Sequence, residues 1–260
     1  METLQISVDE RGVATLRLNR PDVHNAMNAA MIAELTQAAA RLGKDPAVRV
    51  VVLTGTGASF CAGGDLGWMR DQMAADAPTR AREARALAEM LGALDRLPKP
   101  LIGRIQGQSF GGGIGMMSVC DVAIGVEGAK FGLTEVRLGL IPATIGPYVV
   151  ARMGAARARR VFFSGRRFGA AEAVDLGLLA KVVAEDDLDT AIEAEVKPYL
   201  SAAPGAVAES KALVATLGGQ VSDADITATI DALVGRWESQ EAADGIEAFF
   251  AKRKPRWMES

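Results

Sequence analysis

Hydrophobic and polar positions follow two different periods in the first part of this chain. Residues 4–8 and 13–18 alternate with a period of two around a polar turn, which predicts two neighbouring strands. Residues 28–42 and 79–96 repeat apolar positions every three to four residues, which predicts amphipathic helices. Uninterrupted aliphatic runs predict buried strands at residues 49–54, 101–105 and 121–126. This alternation predicts an α/β core with a sheet covered by helices.

The pattern becomes almost wholly helical from about residue 145. Helices are predicted at residues 145–153, 155–163, 170–176, 185–200, 204–217, 222–238 and 241–252. Residues 179–184 are the one strand predicted in this region. We therefore expect a core over residues 1–195 and a C-terminal helical region over residues 196–260. The latter needs the core or a neighbouring subunit to cover its apolar side.

Composition excludes several classes of protein. The chain has 260 residues, is 49% hydrophobic and carries a net charge of −3 with acids and bases interleaved, so no basic patch predicts nucleic-acid binding. Cys61 and Cys120 give no disulfide framework and fit a reducing compartment. The sequence has no metal-ligand spacing, signal peptide or membrane-spanning run, so we expect a cytoplasmic protein without a metal.

Two glycine-rich segments carry the candidate chemistry. Four of residues 111–115 are glycine, and residues 60–65 read Phe-Cys-Ala-Gly-Gly-Asp. Glycines allow a ligand to approach bare backbone N–H groups, and two such groups converging on one carbonyl oxygen form an oxyanion hole. Glu135 lies in an apolar stretch, where burial would raise its pKa and suit it to proton transfer. The residues alone leave a structural alternative open, in which Glu135 pairs with Arg137.

A competing motif predicts a serine hydrolase. Residues 107–111 match the nucleophile elbow G-x-S-x-G around Ser109. That class requires a histidine after the serine, whereas the sole histidine of this chain, His24, precedes it. Met116 occupies the last position of a possible G-x-G-x-x-G, which disfavours dinucleotide binding. The simplest structural role of Asp65 is to cap a helix.

Three segments taken together resemble the signature segments of the crotonase (enoyl-CoA hydratase/isomerase) superfamily. They are residues 60–65, 110–113 and 131–142, and weaker similarity extends over nearly the whole chain. The resemblance implies a spiral of ββα units, followed by C-terminal helices that build homotrimers, often paired into hexamers. It also implies an acyl-CoA thioester substrate, with coenzyme A arriving as part of that substrate and no further cofactor.

The resemblance also implies roles for individual residues. Ala62 and Gly112 match the two oxyanion-hole positions, and Glu135 matches a catalytic glutamate. The positions that match contacts to the CoA ester are Ala26, Ala62, Gly63, Gly64, Asp65, Gly112, Phe249 and Lys252. The last two would reach CoA from the same subunit or from a neighbouring one.

One departure from the family pattern bears on the reaction. Family hydratases usually carry a second glutamate where this chain has Gly115. A single carboxylate suffices to move a proton between C2 and C4, so the chemistry alone favours a Δ3-Δ2 enoyl-CoA isomerase. The sequence otherwise resembles methylglutaconyl-CoA hydratase-type members, in which a glycine here would enlarge the pocket for a branched acyl group. We therefore favour a hydratase, with an isomerase and a non-catalytic CoA-binding scaffold as alternatives.

Overall fold

The strands of the chain form two sheets in the computed structural model, which describes residues 1–218 and 221–258. The described strands are β1 (Leu4–Val8), β2 (Val13–Leu18), β3 (Val50–Gly55), β4 (Ser59–Cys61), β5 (Leu101–Ile105), β6 (Gln108–Phe110), β7 (Val122–Val126), β8 (Lys130–Gly132), β9 (Arg167–Gly169) and β10 (Lys181–Val183). The larger sheet has the order β1-β2-β3-β5-β7-β10, and the smaller has the order β4-β6-β8-β9. The predicted long strands are confirmed.

Helices connect and cover these strands. The described α-helices are α1 (Ala29–Lys44), α2 (Leu66–Ala74), α3 (Ala77–Asp95), α4 (Gly112–Ser118), α5 (Gly146–Met153), α6 (Ala155–Phe162), α7 (Ala170–Asp175), α8 (Leu188–Ser201), α9 (Pro204–Gly218), α10 (Asp223–Trp237) and α11 (Gln240–Phe250). A 3₁₀ turn over Glu135–Leu138 follows β8. Among the described helices, none combines the length and the apolar character needed to cross a bilayer.

Successive strands along the chain go to alternate sheets. β3, β5 and β7 join the larger sheet, whereas the strand that follows each of them, β4, β6 and β8, joins the smaller one. The pairs β3–β4 and β5–β6 are each followed by helices, so the chain advances by ββα units. The short strands β4, β6 and β8 pair in parallel, so their carboxyl ends lie at the same edge of the smaller sheet. The predicted α/β spiral is therefore confirmed. The short strands were not predicted, because three residues show no period.

The aliphatic sequence of β3 explains its central place. Every residue of Val50–Gly55 is buried, and β3 pairs in parallel with β2 on one side and β5 on the other. A parallel strand covered on both faces requires such a continuous apolar run. The β1–β2 pair at the edge is antiparallel, with Leu4 opposite Leu18.

The C-terminal helices pack on the core of their own chain. Ile226 and Ile230 of α10 form a buried cluster with Ala84 and Ala88 of α3. α11 packs against the 3₁₀ turn and Leu140 through its own apolar residues. α8 runs through residue 195, and the division of the chain there stays a prediction.

Two asparagines shape the connection from β2 to α1. Asn28 is the N-cap, since its side chain accepts a hydrogen bond from Met31 N at 3.0 Å. Asn25 has a φ of 55° and is fully buried. Its Nδ2 donates to the carbonyl oxygens of Thr56 and Ser59, each at 2.9 Å, so it ties this loop to the turn before β4.

We predict that Asn25→Ala lowers the free energy of unfolding by about 2–3 kcal/mol, because it leaves the Thr56 carbonyl and the Arg20 N–H without their side-chain partner and removes a residue that tolerates positive φ. The control Asn28→Ala removes one cap hydrogen bond and should cost about 1 kcal/mol. Urea unfolding measures both changes. Equal losses in the two variants would contradict the tie assigned to Asn25.

Candidate active site

A cavity of about 470 Å³ lies beside the ends of β4, β6 and β8. Its wall comes from α2, α3, the 3₁₀ turn and the C-terminal helices α10 and α11. Of the site residues predicted from sequence, the following line it: Ala62, Gly63, Gly64, Gly112, Glu135 and Phe249. Ala26, Asp65, Gly115 and Lys252 are not among its lining residues.

The two glycine-rich segments meet at this cavity. Cys61 of β4 lies opposite Ser109 of β6. The two segments that follow these strands therefore leave the smaller sheet side by side. A Cβ added to Gly63 would lie 3.2 Å from the carbonyl oxygen of Phe110, and φ at Gly63 is +96°. Gly111 also has a positive φ, +47°. Glycine is therefore required at both positions by conformation, and at Gly63 by the close approach as well.

The N–H of Ala62 is already occupied. It donates to the carbonyl oxygen of His24 at 2.9 Å, so it is not free to hold a thioester oxygen, and the sequence-based assignment of Ala62 as an oxyanion donor is wrong. Gly64 lies opposite Met27 in a parallel β-bridge. In this bridge Met27 N donates to Gly63 O, and Asp65 N donates to Met27 O. This pairing turns the N–H of Gly64 away from Met27. The N–H of Gly64 thus has no hydrogen-bond partner among the described residues.

Gly112 begins α4 at the opposite side of this junction. The first N–H groups of a helix have no partner within it, so the N–H of Gly112 is available to a ligand. A Cβ added to Gly112 would lie 1.9 Å from Cε of Met27. The methionine side chain thus fills the space that glycine leaves, and Met27 lines the cavity.

Glu135 provides a buried carboxyl group at the cavity. One oxygen, Oε1, lies 3.0 Å from where a Cβ on Gly111 would stand. The other, Oε2, is buried without a hydrogen-bond partner among the described residues. Burial raises the pKa of Glu135 from 4.5 to about 7. The described ion pairs include none with Arg137, so the structural alternative of a Glu135–Arg137 pair is wrong.

Gly115 does not enlarge the cavity. It is buried, and a Cβ there would lie 2.8 Å from Cγ2 of Ile145 and 3.2 Å from Cδ1 of Leu91. Ile145 occupies the space beside Gly115 and itself lines the cavity. The prediction that this glycine makes room for a branched acyl group is wrong, because it makes room for Ile145.

Three other predicted contacts to CoA lie outside the cavity. Asp65 caps α2 by accepting from Gly67 N at 2.8 Å, and it forms an ion pair with Arg20 at 2.9 Å. Arg20 also donates to the carbonyl oxygen of Ala26. Lys252 is exposed just after α11. Asp65 and Ala26 thus organise the loop beside the site. The contacts of Asp65, Ala26 and Lys252 to CoA stay predictions.

Ser109, the possible serine nucleophile, does not form a catalytic triad with His24. Ser109 is fully buried with no hydrogen-bond partner for Oγ among the described residues. A Cβ on Gly113 would lie 2.5 Å from that oxygen, so the hydroxyl faces α4. His24 Nδ1 instead contacts Oγ of Ser59 at 2.9 Å. Burial raises the pKa of the Cys61 thiol to about 12, which excludes a thiolate nucleophile.

Sequence reasoning missed most of the wall opposite the glycines. The missed lining residues include Met27, Trp68, Gln72, Arg80, Leu233 and Trp237. Spacing offered one signal, since Trp68 and Gln72 are four apart and would share a face of a helix. The α10 residues gave no signal, because only the folded chain brings them to the cavity. Within residues 1–218 and 221–258, no cluster of His, Cys, Asp or Glu has the arrangement of a metal site.

The fold and the cavity agree with the enoyl-CoA hydratase/isomerase family that the sequence resembles, and comparisons with known proteins give the same result. The chain matches the enoyl-CoA hydratase/isomerase family over residues 9–260. It therefore belongs to that family.

Relatives and solved structures extend this likeness over full length. A crotonyl-CoA hydratase from Syntrophomonas wolfei is 33% identical, with 96% of this chain and 95% of that protein covered. A solved enoyl-CoA hydratase from Shewanella pealeana is 37% identical with a TM-score of 0.81, covering 98% of this chain and 96% of that one. One from Mycobacterium avium is 31% identical with a TM-score of 0.88 and covers 99% of each chain.

We predict that Glu135→Gln stabilises the protein at high pH. The folded state holds the proton of Glu135 more tightly than the unfolded chain does, so wild-type stability from this group is full below pH 4.5 and is lost as pH rises through about 7. The charged carboxyl then costs up to about 3 kcal/mol. The variant should therefore exceed wild type in unfolding free energy at pH 8, and the gap should shrink toward pH 5.

Urea unfolding at pH 5, 6, 7 and 8 measures this gap. Glu127→Gln, at an exposed position, is the matched control and should show no such trend. A difference in unfolding free energy between the Glu135 variant and wild type that does not change with pH would contradict the raised pKa of Glu135.

Proposed function

We propose that this protein is an enoyl-CoA hydratase-like lyase that adds water to the double bond of a 2-enoyl-CoA. One observation carries the proposal. The Glu135 carboxyl, with one buried and unpartnered oxygen, stands at a cavity that Gly64 and Gly112 also line. The names of relatives such as the crotonyl-CoA hydratase support the same reaction.

The N–H groups of Gly64 and Gly112 would hold the thioester oxygen. As water attacks C3, the electrons of the double bond move toward the thioester, and negative charge builds on that oxygen as an enolate. Donors fixed in advance stabilise the charge without reorganisation, and one such donor typically lowers the barrier by about 2.7–4 kcal/mol. Glycine suits both positions because it leaves the amide open.

Glu135 would move both protons. Its carboxylate takes a proton from the water whose oxygen bonds to C3, and the resulting carboxylic acid then delivers a proton to C2 of the enolate. The carboxylate is restored, and the elements of water have been added. A pKa of about 7 suits a group that must accept and donate a proton at neutral pH.

An isomerase is the second candidate, and Gly115 is the observation that favours it. Ile145 fills the space beside Gly115, so that place holds no second carboxyl group. In this reaction Glu135 would take a proton from C2 of a 3-enoyl-CoA and return it to C4. Mass and NMR analysis of the products from 2-enoyl and 3-enoyl esters separates water addition from double-bond migration.

The finer assignments rest on the sequence resemblance and are also proposed. They are a branched, methylglutaconyl-type acyl group, a cytoplasmic location, and no cofactor beyond the CoA of the substrate. A homotrimer or a dimer of trimers is supported by the apolar side chains of α9, since Leu213, Val214 and Leu217 are 57%, 70% and 78% exposed.

We predict that Glu135→Gln lowers turnover of crotonyl-CoA or 3-methylglutaconyl-CoA at least about 10²-fold, the scale of a lost acid–base group. Binding of the saturated esters should survive, because the change is nearly isosteric. Loss of the enoyl-thioester absorbance gives the rate, and calorimetry gives the affinity. Unchanged turnover would refute the role of Glu135, and ester binding by a wild-type protein without turnover would favour a scaffold.

We also predict that Gly64→Pro, which removes the N–H, lowers kcat about 10²–10³-fold. Gly64→Ala keeps the N–H, and its Cβ would lie no closer than 3.7 Å to Trp68 or Met69, so it should stay within about threefold of wild type. Circular dichroism checks the fold of both variants. Equal kcat in the two would show that the Gly64 amide does not act on the substrate.

A further inference from the structure

Two polar side chains of α2 stand at the cavity without a hydrogen-bond partner. Trp68 and Gln72 are four residues apart, so they are neighbours on one face of this helix, and both line the cavity. Trp68 Nε1 is buried and has no partner within residues 1–218 and 221–258. The Gln72 side chain makes no hydrogen bond in that part of the chain either, although only 5% of this residue is exposed. Since a buried polar group left unpaired costs about 1–3 kcal/mol, both side chains call for a ligand that forms hydrogen bonds.

A third such group, Oε2 of Glu135, lies at the same cavity. Short contacts relate it to the α2 pair. Cε3 and Cζ3 of the Trp68 ring are 3.7 Å from where a Cβ on Gly64 would stand. A Cβ on Gly111 would lie 3.9 Å from Cα of Gly63 and 3.0 Å from Oε1 of Glu135. Trp68 and Glu135 therefore pack against the two backbone segments that meet at the proposed thioester site.

Addition of water to C3 requires more than one carboxyl group to hold the water. Glu135 is the only carboxyl group among the described residues that line the cavity. Ile145 occupies the space beside Gly115, where family hydratases usually carry their second glutamate. A bound water typically makes about three hydrogen bonds. A water that attacks C3 must keep one lone pair free, so it can donate two hydrogen bonds and accept one.

The three unpartnered groups match these three hydrogen bonds. The Glu135 carboxylate accepts one hydrogen of the water, and the Gln72 amide oxygen accepts the other. The indole N–H of Trp68 can only donate, so it suits the lone pair that the attack does not use. The remaining lone pair is then directed at C3.

Resting on the proposed function, we propose that Trp68 and Gln72 bind the water that adds to C3, and that the Gln72 amide takes the place of the second glutamate. As the water oxygen bonds to C3, Glu135 takes one proton and later delivers a proton to C2. The other hydrogen, held by Gln72, stays on the oxygen as the hydroxyl group of the product. A neutral amide does this without placing a second negative charge near Glu135, which would oppose ionisation of the base.

Hydration and hydrogen exchange at C2, measured side by side, test this assignment. Gln72→Met and Trp68→Phe keep most of the side-chain volume and remove the hydrogen bonds. We expect each to lower kcat for hydration of crotonyl-CoA at least about tenfold, followed by loss of the enoyl-thioester absorbance. Exchange of the C2 hydrogens of butyryl-CoA in D₂O, followed by mass spectrometry, uses Glu135 but needs no water at C3, so its rate should change less than about twofold. The affinity for butyryl-CoA, measured by calorimetry, should also be retained.

Two further variants locate the water. Asp71→Asn, on the exposed side of α2, is the control and should change neither rate. Thr144→Val removes the other buried polar side chain that lines the cavity, and it should lower hydration less than either α2 variant does. A larger loss of hydration in Thr144→Val would overturn the assignment to α2.

The remaining outcomes separate this assignment from the proposed function. Hydration at wild-type rate in Gln72→Met and Trp68→Phe would overturn the water site and leave the hydratase standing. A loss of hydration that is matched by an equal loss of C2 exchange or of affinity would also overturn it, because the whole cavity would then be disturbed. A wild-type protein that binds butyryl-CoA and hydrates no enoyl ester would overturn the hydratase, and the water site with it.

Discussion

The close approach of two backbone segments, residues 62–64 and 110–112, is the constraint on which the site depends. Side chains would keep the segments apart, since even a Cβ on Gly63 would make a tight contact of 3.2 Å with the Phe110 carbonyl oxygen. The alternation of strands between two sheets brings the segments together, because each ββα unit ends its short strand beside the previous one. The glycines therefore lower the stability of the local backbone, but they allow the two segments to lie side by side with their N–H groups uncovered.

Burial of Glu135 follows from the same arrangement. The carboxyl lies against Gly111, where any side chain would meet Oε1. Its oxygen Oε2 is buried, and no hydrogen-bond partner among the described residues compensates the charge of that oxygen. The chain thus holds an acid that is half protonated near neutral pH, which is unfavourable for folding and suited to proton transfer.

Much of this could be predicted from sequence, and the failures have physical causes. Long strands and helices were predicted because their apolar period extends over several residues. The role of Ala62 was misjudged because its N–H is taken by His24, a partner 38 residues away that no local pattern reveals. Gly115 was misjudged because the space beside it is filled by Ile145, from another unit of the spiral. The lining residues of α2 were missed because only the folded chain turns this helix toward the cavity.

The C-terminal helices bear on how the molecule is made. Leu233, Trp237 and Phe249 complete a cavity whose glycines and carboxyl group come from residues 63–135. During synthesis the ribosome releases the sheet and its chemistry well before these last side chains emerge. A nascent chain therefore presents an unfinished, apolar hollow until the C-terminal helices have been synthesised.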